Sequence, residues 1–186
     1  MTLEVERKFP VPDFREVEER LDRLHADWSE PVEQIDQYFA HPCRDFAQTD
    51  EALRIRRTGE ECRVTYKGRR QGGPSKTRRE IEFVLPDAAQ ATELLEALGF
   101  RPFAKVRKRR RPARVHWHEY EVKIALDIVD RLGQFVELEV QAESETAEQA
   151  SDAIGNLARS LGLGADERRS YLELLRATPS GGRSSC

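Results

Sequence analysis

The chain has 186 residues, enough for one domain with a sizeable core, and 35% of them are charged, against about 25% in an average soluble domain. The signs nearly cancel, with 31 Lys and Arg against 34 Asp and Glu and a formal charge of -3. That balance argues against a nucleic-acid binder, whose footprint is a basic excess. Cys43, Cys62 and Cys186 follow no metal-ligand spacing and read as reduced thiols. No apolar run approaches the ~20 residues of a membrane span, and no signal-peptide pattern is visible. The expectation is a cytoplasmic protein without a membrane partner, one domain over 1–177 and a small, polar, disordered tail over 178–186.

Residues 1–10 alternate like a strand around Glu4, Glu6 and Lys8. Pro12 and Asp13 open a helix over 13–26, with Phe14, Val17, Leu21 and Leu24 at helical spacing. A strand over 34–39 is closed by His41-Pro42, and 52–57 with 63–67 form a hairpin through Thr58-Gly59-Glu60-Glu61. Residues 68–77, with Gly72-Gly73-Pro74-Ser75, read as a loop, and 78–85 as the next strand. Asp87 caps a helix ending near Leu98, with Gly99 just after its last turn. Strands over 106–111, 120–128 and 134–141 follow, the last two joined by the turn Leu132-Gly133. Helices over 146–161 and 166–176 complete the chain. Three times a Glu-x-Glu strand (Glu4/Glu6, Glu80/Glu82, Glu137/Glu139) precedes a helix.

Residues two apart in a strand share a face. Glu4, Glu6 and Lys8 therefore oppose Leu3, Val5 and Phe9, and Arg54 and Arg56 oppose Leu53 and Ile55. Arg63, Thr65 and Lys67 oppose Val64 and Tyr66, while Arg78, Glu80 and Glu82 oppose Ile81 and Phe83. Lys123 and Asp127 oppose Val122, Ile124, Leu126 and Ile128; Glu137 and Glu139 oppose Val136, Leu138 and Val140. For a single strand, a core side and a solvated side bridged by ion pairs is the simpler reading. Repetition over seven strands favours a closed antiparallel barrel with an ionic interior and helices outside. Such an interior is costly to desolvate unless a highly charged ligand and metals complete it. A triphosphate needs several cations along its length, with Arg as a forked donor and Lys as a point charge. Carboxylates among those cations make sense as ligands of a hard divalent ion, and alternate Glu residues place two of them ~7 Å apart on one face.

Glu4-Val5-Glu6-Arg7-Lys8 resembles the Glu-x-Glu-x-Lys signature of the CYTH, or triphosphate tunnel metalloenzyme, superfamily. It is accompanied in family order by Asp36-Gln37-Tyr38-Phe39, Leu53-Arg54-Ile55-Arg56, Tyr66-Lys67-Gly68, Lys108-Arg109-Arg110, Asp127, Leu132-Gly133-x-Phe135 and Glu137-Leu138-Glu139. The stretch 36–56, and Arg169-Ser170-Tyr171 with Leu174-Leu175, are most similar to the class IV adenylyl cyclase (CyaB-like) branch. The resemblance implies an α+β fold, an eight-stranded antiparallel β-barrel (a triphosphate tunnel) with a polar lumen and helices packed outside. It implies Lys8, Arg54, Arg56, Lys67, Lys108 and Arg110 as substrate-binding cations, and Glu4, Glu6, Asp127, Glu137 and Glu139 as ligands of Mg2+ or Mn2+. Glu4, Glu6 and Lys8 of the signature are the expected catalytic residues. The implied activity is an adenylyl cyclase converting ATP to 3′,5′-cyclic AMP and pyrophosphate. An inorganic or thiamine triphosphatase is the second reading, and a non-catalytic binder of polyphosphate, nucleotide or RNA ends the third. A triphosphate-containing small molecule is the expected partner, nucleic acid is not, and a homodimer is compatible with the resemblance.

The basic run 105–114 reads as a lumen-facing strand plus its loop rather than a nucleic-acid tract; 107–111 breaks the alternation, and the resemblance implies Lys108 and Arg110 turned inward. His116 and His118 lack a third nitrogen or sulfur ligand nearby and read as exposed strand-end residues. Trp28 and Trp117 read as core or barrel-end plugs, and Tyr171 as a residue closing one tunnel mouth.

Overall fold

The computed structural model describes residues 2–71 and 77–178. The strands are β1 (Thr2–Val11), β2 (Asp27–Trp28), β3 (Val32–Ala40), β4 (Ala52–Thr58), β5 (Glu61–Gln71), β6 (Thr77–Leu85), β7 (Arg101–Trp117), β8 (Tyr120–Val129) and β9 (Gly133–Glu143). The helices are α1 (Arg15–Arg23), α2 (Phe46–Thr49), α3 (Ala88–Ala97), α4 (Ala147–Ser160) and α5 (Tyr171–Ala177). Residues 72–76 of the loop expected at 68–77, and the tail at 179–186, lie outside the described residues.

All the long strands pair antiparallel in the order β1-β9-β8-β7-β3-β4-β5-β6, and the two-residue β2 adds to β7. The order brings chain-distant strands together, so the sheet cannot be a simple meander. Its two edges, β1 and β6, approach until their Cα atoms lie within 8 Å. The sheet therefore curls into an incompletely closed barrel, as strand twist and coiling favour. Strand β7 makes this possible, pairing with β3 through 101–110 and with β8 through 108–117. The loop expected after the basic run is instead more of this strand. Residues 68–71, expected in a loop, continue β5.

The alternation of apolar and charged residues decides which side faces out. Val5, Phe9, Ile124, Leu126, Leu138 and Val140 point outward and are buried beneath α1 and α4, which contribute Val17, Leu21, Ile154 and Leu157. A second outer cluster, Phe39, Leu53 and Ile55, is covered by α3 through Ala91 and Leu95. Each fully buried aliphatic or aromatic side chain contributes about 1.5–3 kcal/mol of transfer free energy. Asp87 caps α3 by accepting from Ala89 N at 2.7 Å and Gln90 N at 3.1 Å, and Gly99 follows at φ 88. The apolar side of β6 departs from expectation: Ile81 and Phe83 are exposed, because α3 covers only the Leu85 end of that strand. Ile128, near the end of β8, is exposed as well.

Helix α5 does not lie on the outside. It sits over the lumen, where Tyr171 packs with Tyr38, Val106, Val129 and Phe135. A Ser170–Glu173 capping box fixes its start. Trp28 and Trp117 pack against the α1/α4 core, and His116 and His118 are exposed at the β7–β8 turn. Among the described residues no helix is long and apolar enough to cross a membrane.

Candidate active site in the tunnel

The inner faces of the strands enclose a cavity of about 700 Å3. Ten of the eleven charged residues singled out in the sequence line it: Glu4, Glu6 and Lys8 from β1, Arg54 and Arg56 from β4, Lys67 from β5, Lys108 and Arg110 from β7, and Glu137 and Glu139 from β9. The remaining long strands add Asp36 from β3, Glu80 and Glu82 from β6, and Lys123 from β8. Period-two alternation put each of these groups on the inner face, and closure of the sheet made those faces converge.

The cations are held by carboxylates set directly across the ladder. Asp36 lies opposite Arg56 in register. It accepts from Arg56 Nε at 2.6 Å, Arg56 Nη2 at 2.7 Å and Arg54 Nη1 at 3.3 Å. Asp36 is only 2% exposed. Burial pushes its carboxyl up, and the two guanidinium groups more than reverse this, holding it well below the ordinary range. Sequence reasoning quoted Asp36 in a motif without assigning it a role. No local signal marks that role, because Arg54 and Arg56 lie 18 and 20 residues away in the chain.

Asp127 is the one expected metal ligand that does not line the cavity. It is 0% exposed, behind the lysine and arginine of β7. It accepts from Lys108 Nζ at 3.0 Å, Arg110 Nε at 2.7 Å, Arg110 Nη2 at 2.6 Å and the Tyr171 hydroxyl at 2.9 Å. With both oxygens engaged, Asp127 orients two cations toward the cavity. Arg110 also pairs with Glu137, and Lys67 with Glu80. Lys108 is 3% exposed, and burial followed by the neighbouring Arg110 brings its ammonium down to about 8. The Nζ atoms of Lys8 and Lys108 lie 4.2 and 5.0 Å from the Tyr171 ring centroid. One aromatic ring thus supports two ammonium groups. The Nε of Arg54 is buried and has no hydrogen-bond partner among the described residues, a donor that a ligand oxygen would satisfy.

The acidic side of the tunnel lies on β1 and β9. Glu6 stands directly opposite Glu139 in register, a like-charge pairing that the Lys123 ammonium beside Glu139 offsets in part. Burial, and next Glu139, raise the Glu4 carboxyl to about 7, with Glu80 and Glu6 adding to the effect and Lys67 opposing it. Glu139 accepts from Lys123 Nζ at 2.9 Å and Gln141 Nε2 at 3.3 Å. Among the described residues no three His, Cys, Asp or Glu side chains already stand at metal-ligating spacing. The donor chemistry nevertheless suits a hard divalent ion: mutually repelling carboxylates at a wall, one of them held close to neutral.

Comparisons with known proteins agree with this architecture. A Methanocaldococcus jannaschii protein named "putative adenylate cyclase" is 34% identical over 175 residues, covering 92% of this chain and 98% of its own. A solved Pyrococcus horikoshii protein superposes with a TM-score of 0.83 at 40% identity, over 93% of this chain and 98% of that one. A Hippeastrum protein, described as a "putative adenylyl cyclase" with a dominant triphosphatase activity, superposes with a TM-score of 0.67 over 95% of each chain. Its identity is 18%, so what is shared there is the fold. The CYTH domain description matches residues 2–171. A curled antiparallel sheet with charges lining its interior, matched over nearly its whole length, makes this chain a member of the CYTH domain family.

Proposed function

We propose that this protein is a divalent-metal-dependent enzyme acting on triphosphates, and that its reaction is the cyclisation of ATP to 3′,5′-cyclic AMP and pyrophosphate. The observation that carries the proposal is the convergence of Lys8, Arg54, Arg56, Lys67, Lys108 and Arg110 on one cavity that also contains a carboxylate wall. A pure anion binder gains nothing from Glu6 and Glu139 opposite one another in the same lumen. The Methanocaldococcus relative's name supports the choice of cyclase.

In this reading the cations span the phosphates and neutralise the charge that builds on them in the transition state. Glu4, Glu6, Glu137 and Glu139 would hold Mg2+ or Mn2+. That ion, when bound, polarises a phosphoryl group and acidifies the attacking hydroxyl. The 3′ oxygen forms a bond to the α-phosphorus and the bond to pyrophosphate breaks. The hydroxyl proton leaves through a lumen carboxylate that does not hold the ion. Asp36 and Asp127 keep the arginines and Lys108 in place.

The test is product identification after incubation with ATP, inorganic triphosphate and thiamine triphosphate, each with Mg2+ or Mn2+. Cyclic AMP and pyrophosphate from ATP are expected. Phosphate release from inorganic or thiamine triphosphate without a cyclic product would replace the cyclase with the triphosphatase reading. Tight binding without turnover of any of the three would leave only an anion binder.

A further inference from the structure

Charged side chains dominate the lining of the cavity, and among the apolar ones a single aromatic ring on β7 stands out of place. On β7 the even positions Val106 and Lys108 are buried inward, while the odd positions Lys105, Arg107 and Arg109 are exposed on the outside. By that parity Phe103 belongs outside. It lines the cavity instead. The reason is a break in the β3–β7 ladder: Tyr38 pairs with Ala104 and Phe39 with Pro102, leaving Phe103 without a partner. An unpaired bulge residue is the usual means by which a strand re-aims one side chain beside a site. The Phe103 ring remains 44% exposed. The Arg176 guanidinium of α5 stands 5.3 Å from its centroid. Phe46 and Leu172 line the same cavity, from α2 and α5.

Resting on the triphosphate reading above, we infer that Phe103 is the stacking platform for the organic end of the substrate. The tunnel therefore selects a triphosphate esterified to a group with a planar aromatic ring over inorganic triphosphate. The lysines and arginines deeper in the lumen meet the phosphates wherever they come from. Only a substrate with a flat apolar end gains from an exposed ring turned into the mouth, with a cation already over it. Aromatic stacking of a base is sequence-tolerant, so the site would discriminate base from no base more strongly than one base from another.

The experiment compares the parent with Phe103→Ala and Phe103→Trp. It measures Kd for ATP and for inorganic triphosphate by calorimetry with Mn2+ present, and KM for whichever is turned over. Loss of the ring should weaken ATP about tenfold, within the range of a stacked base, and leave inorganic triphosphate within about twofold; Phe103→Trp should restore ATP. Equal weakening of both ligands, or no change for ATP, overturns the inference while the triphosphate reading stands. Failure of the parent to bind either ligand defeats that reading and the inference with it. Phe103 is half-exposed, and an unchanged melting temperature for Phe103→Ala confirms that the tunnel is intact.

Discussion

Replacing Asp127 by Asn should destabilise the fold severely, and more than its role in any reaction would require. The change is nearly isosteric and leaves no cavity, so what it removes is charge. Lys108 and Arg110 are then left as two cations within a largely buried wall, facing an amide that can satisfy fewer of their donors. Breaking a buried charge pair by removing one partner typically costs about 3–5 kcal/mol, because the surviving charge stays desolvated. The Tyr171 hydroxyl also loses its charged acceptor, loosening the contact that seats α5 over the lumen. For a chain of this size about 2–4 °C of melting temperature accompanies each kcal/mol, so a drop of roughly 6–20 °C is expected. The assay is thermal and urea unfolding by circular dichroism in EDTA, with the exposed Asp152→Asn as control. The loss should appear in EDTA, because every partner of Asp127 named above belongs to the chain. A variant within about 1 kcal/mol of the parent under those conditions would refute the idea that this carboxylate organises the cationic wall.

Three further outcomes follow from the same geometry. The Asp36 carboxyl is held below its unfolded value, so its contribution to stability is complete above about pH 4 and is lost as the pH falls further. Urea midpoints of the parent and Asp36→Asn, measured from pH 6 downward, should therefore converge at acid pH; a constant difference would sink the assignment. Lys108→Met should weaken inorganic triphosphate about 10- to 100-fold by calorimetry, the value of a charge-assisted contact, and unchanged affinity would remove Lys108 from the phosphate set. Glu139→Gln removes both the repulsion with Glu6 and the ion pair with Lys123, so stability should change by no more than about 1 kcal/mol, while the Mn2+ concentration needed for half-maximal turnover rises about 10-fold or more. An unaltered Mn2+ requirement would exclude this carboxylate from metal binding.

Much of the tunnel wall could be read from period-two patterning, because a strand has only two faces and these strands sort charge from apolar bulk so cleanly. Lys8, Arg54 and Arg56 were legible as inward groups for that reason, whereas the unbroken basic run 107–111 shows no alternation and left the direction of Lys108 to the family resemblance. The helix begun by Asp87 was legible as well, because its cap is a local interaction that needs no tertiary partner. The short helix α2 escaped notice because its four residues are too few to establish a period. The part played by Asp127 was hidden for a different reason. Alternation says that it faces inward, but not that Lys108, Arg110 and Tyr171 surround it, since these lie 19, 17 and 44 residues away in the chain.

What the amino-acid sequence by itself determined is which side chains share a face, where α3 and α4 begin, and that the charged faces are too many to be ordinary surface; α5, expected from 166, begins only at Tyr171. Those properties follow from local geometry. Only the tertiary structure decided that β1 and β6 come edge to edge and that α5 enters the mouth of the tunnel. It alone turned Phe103 inward at a break in register. Each of these rests on contacts between chain-distant segments, where closure of the sheet rather than local preference chooses the partner.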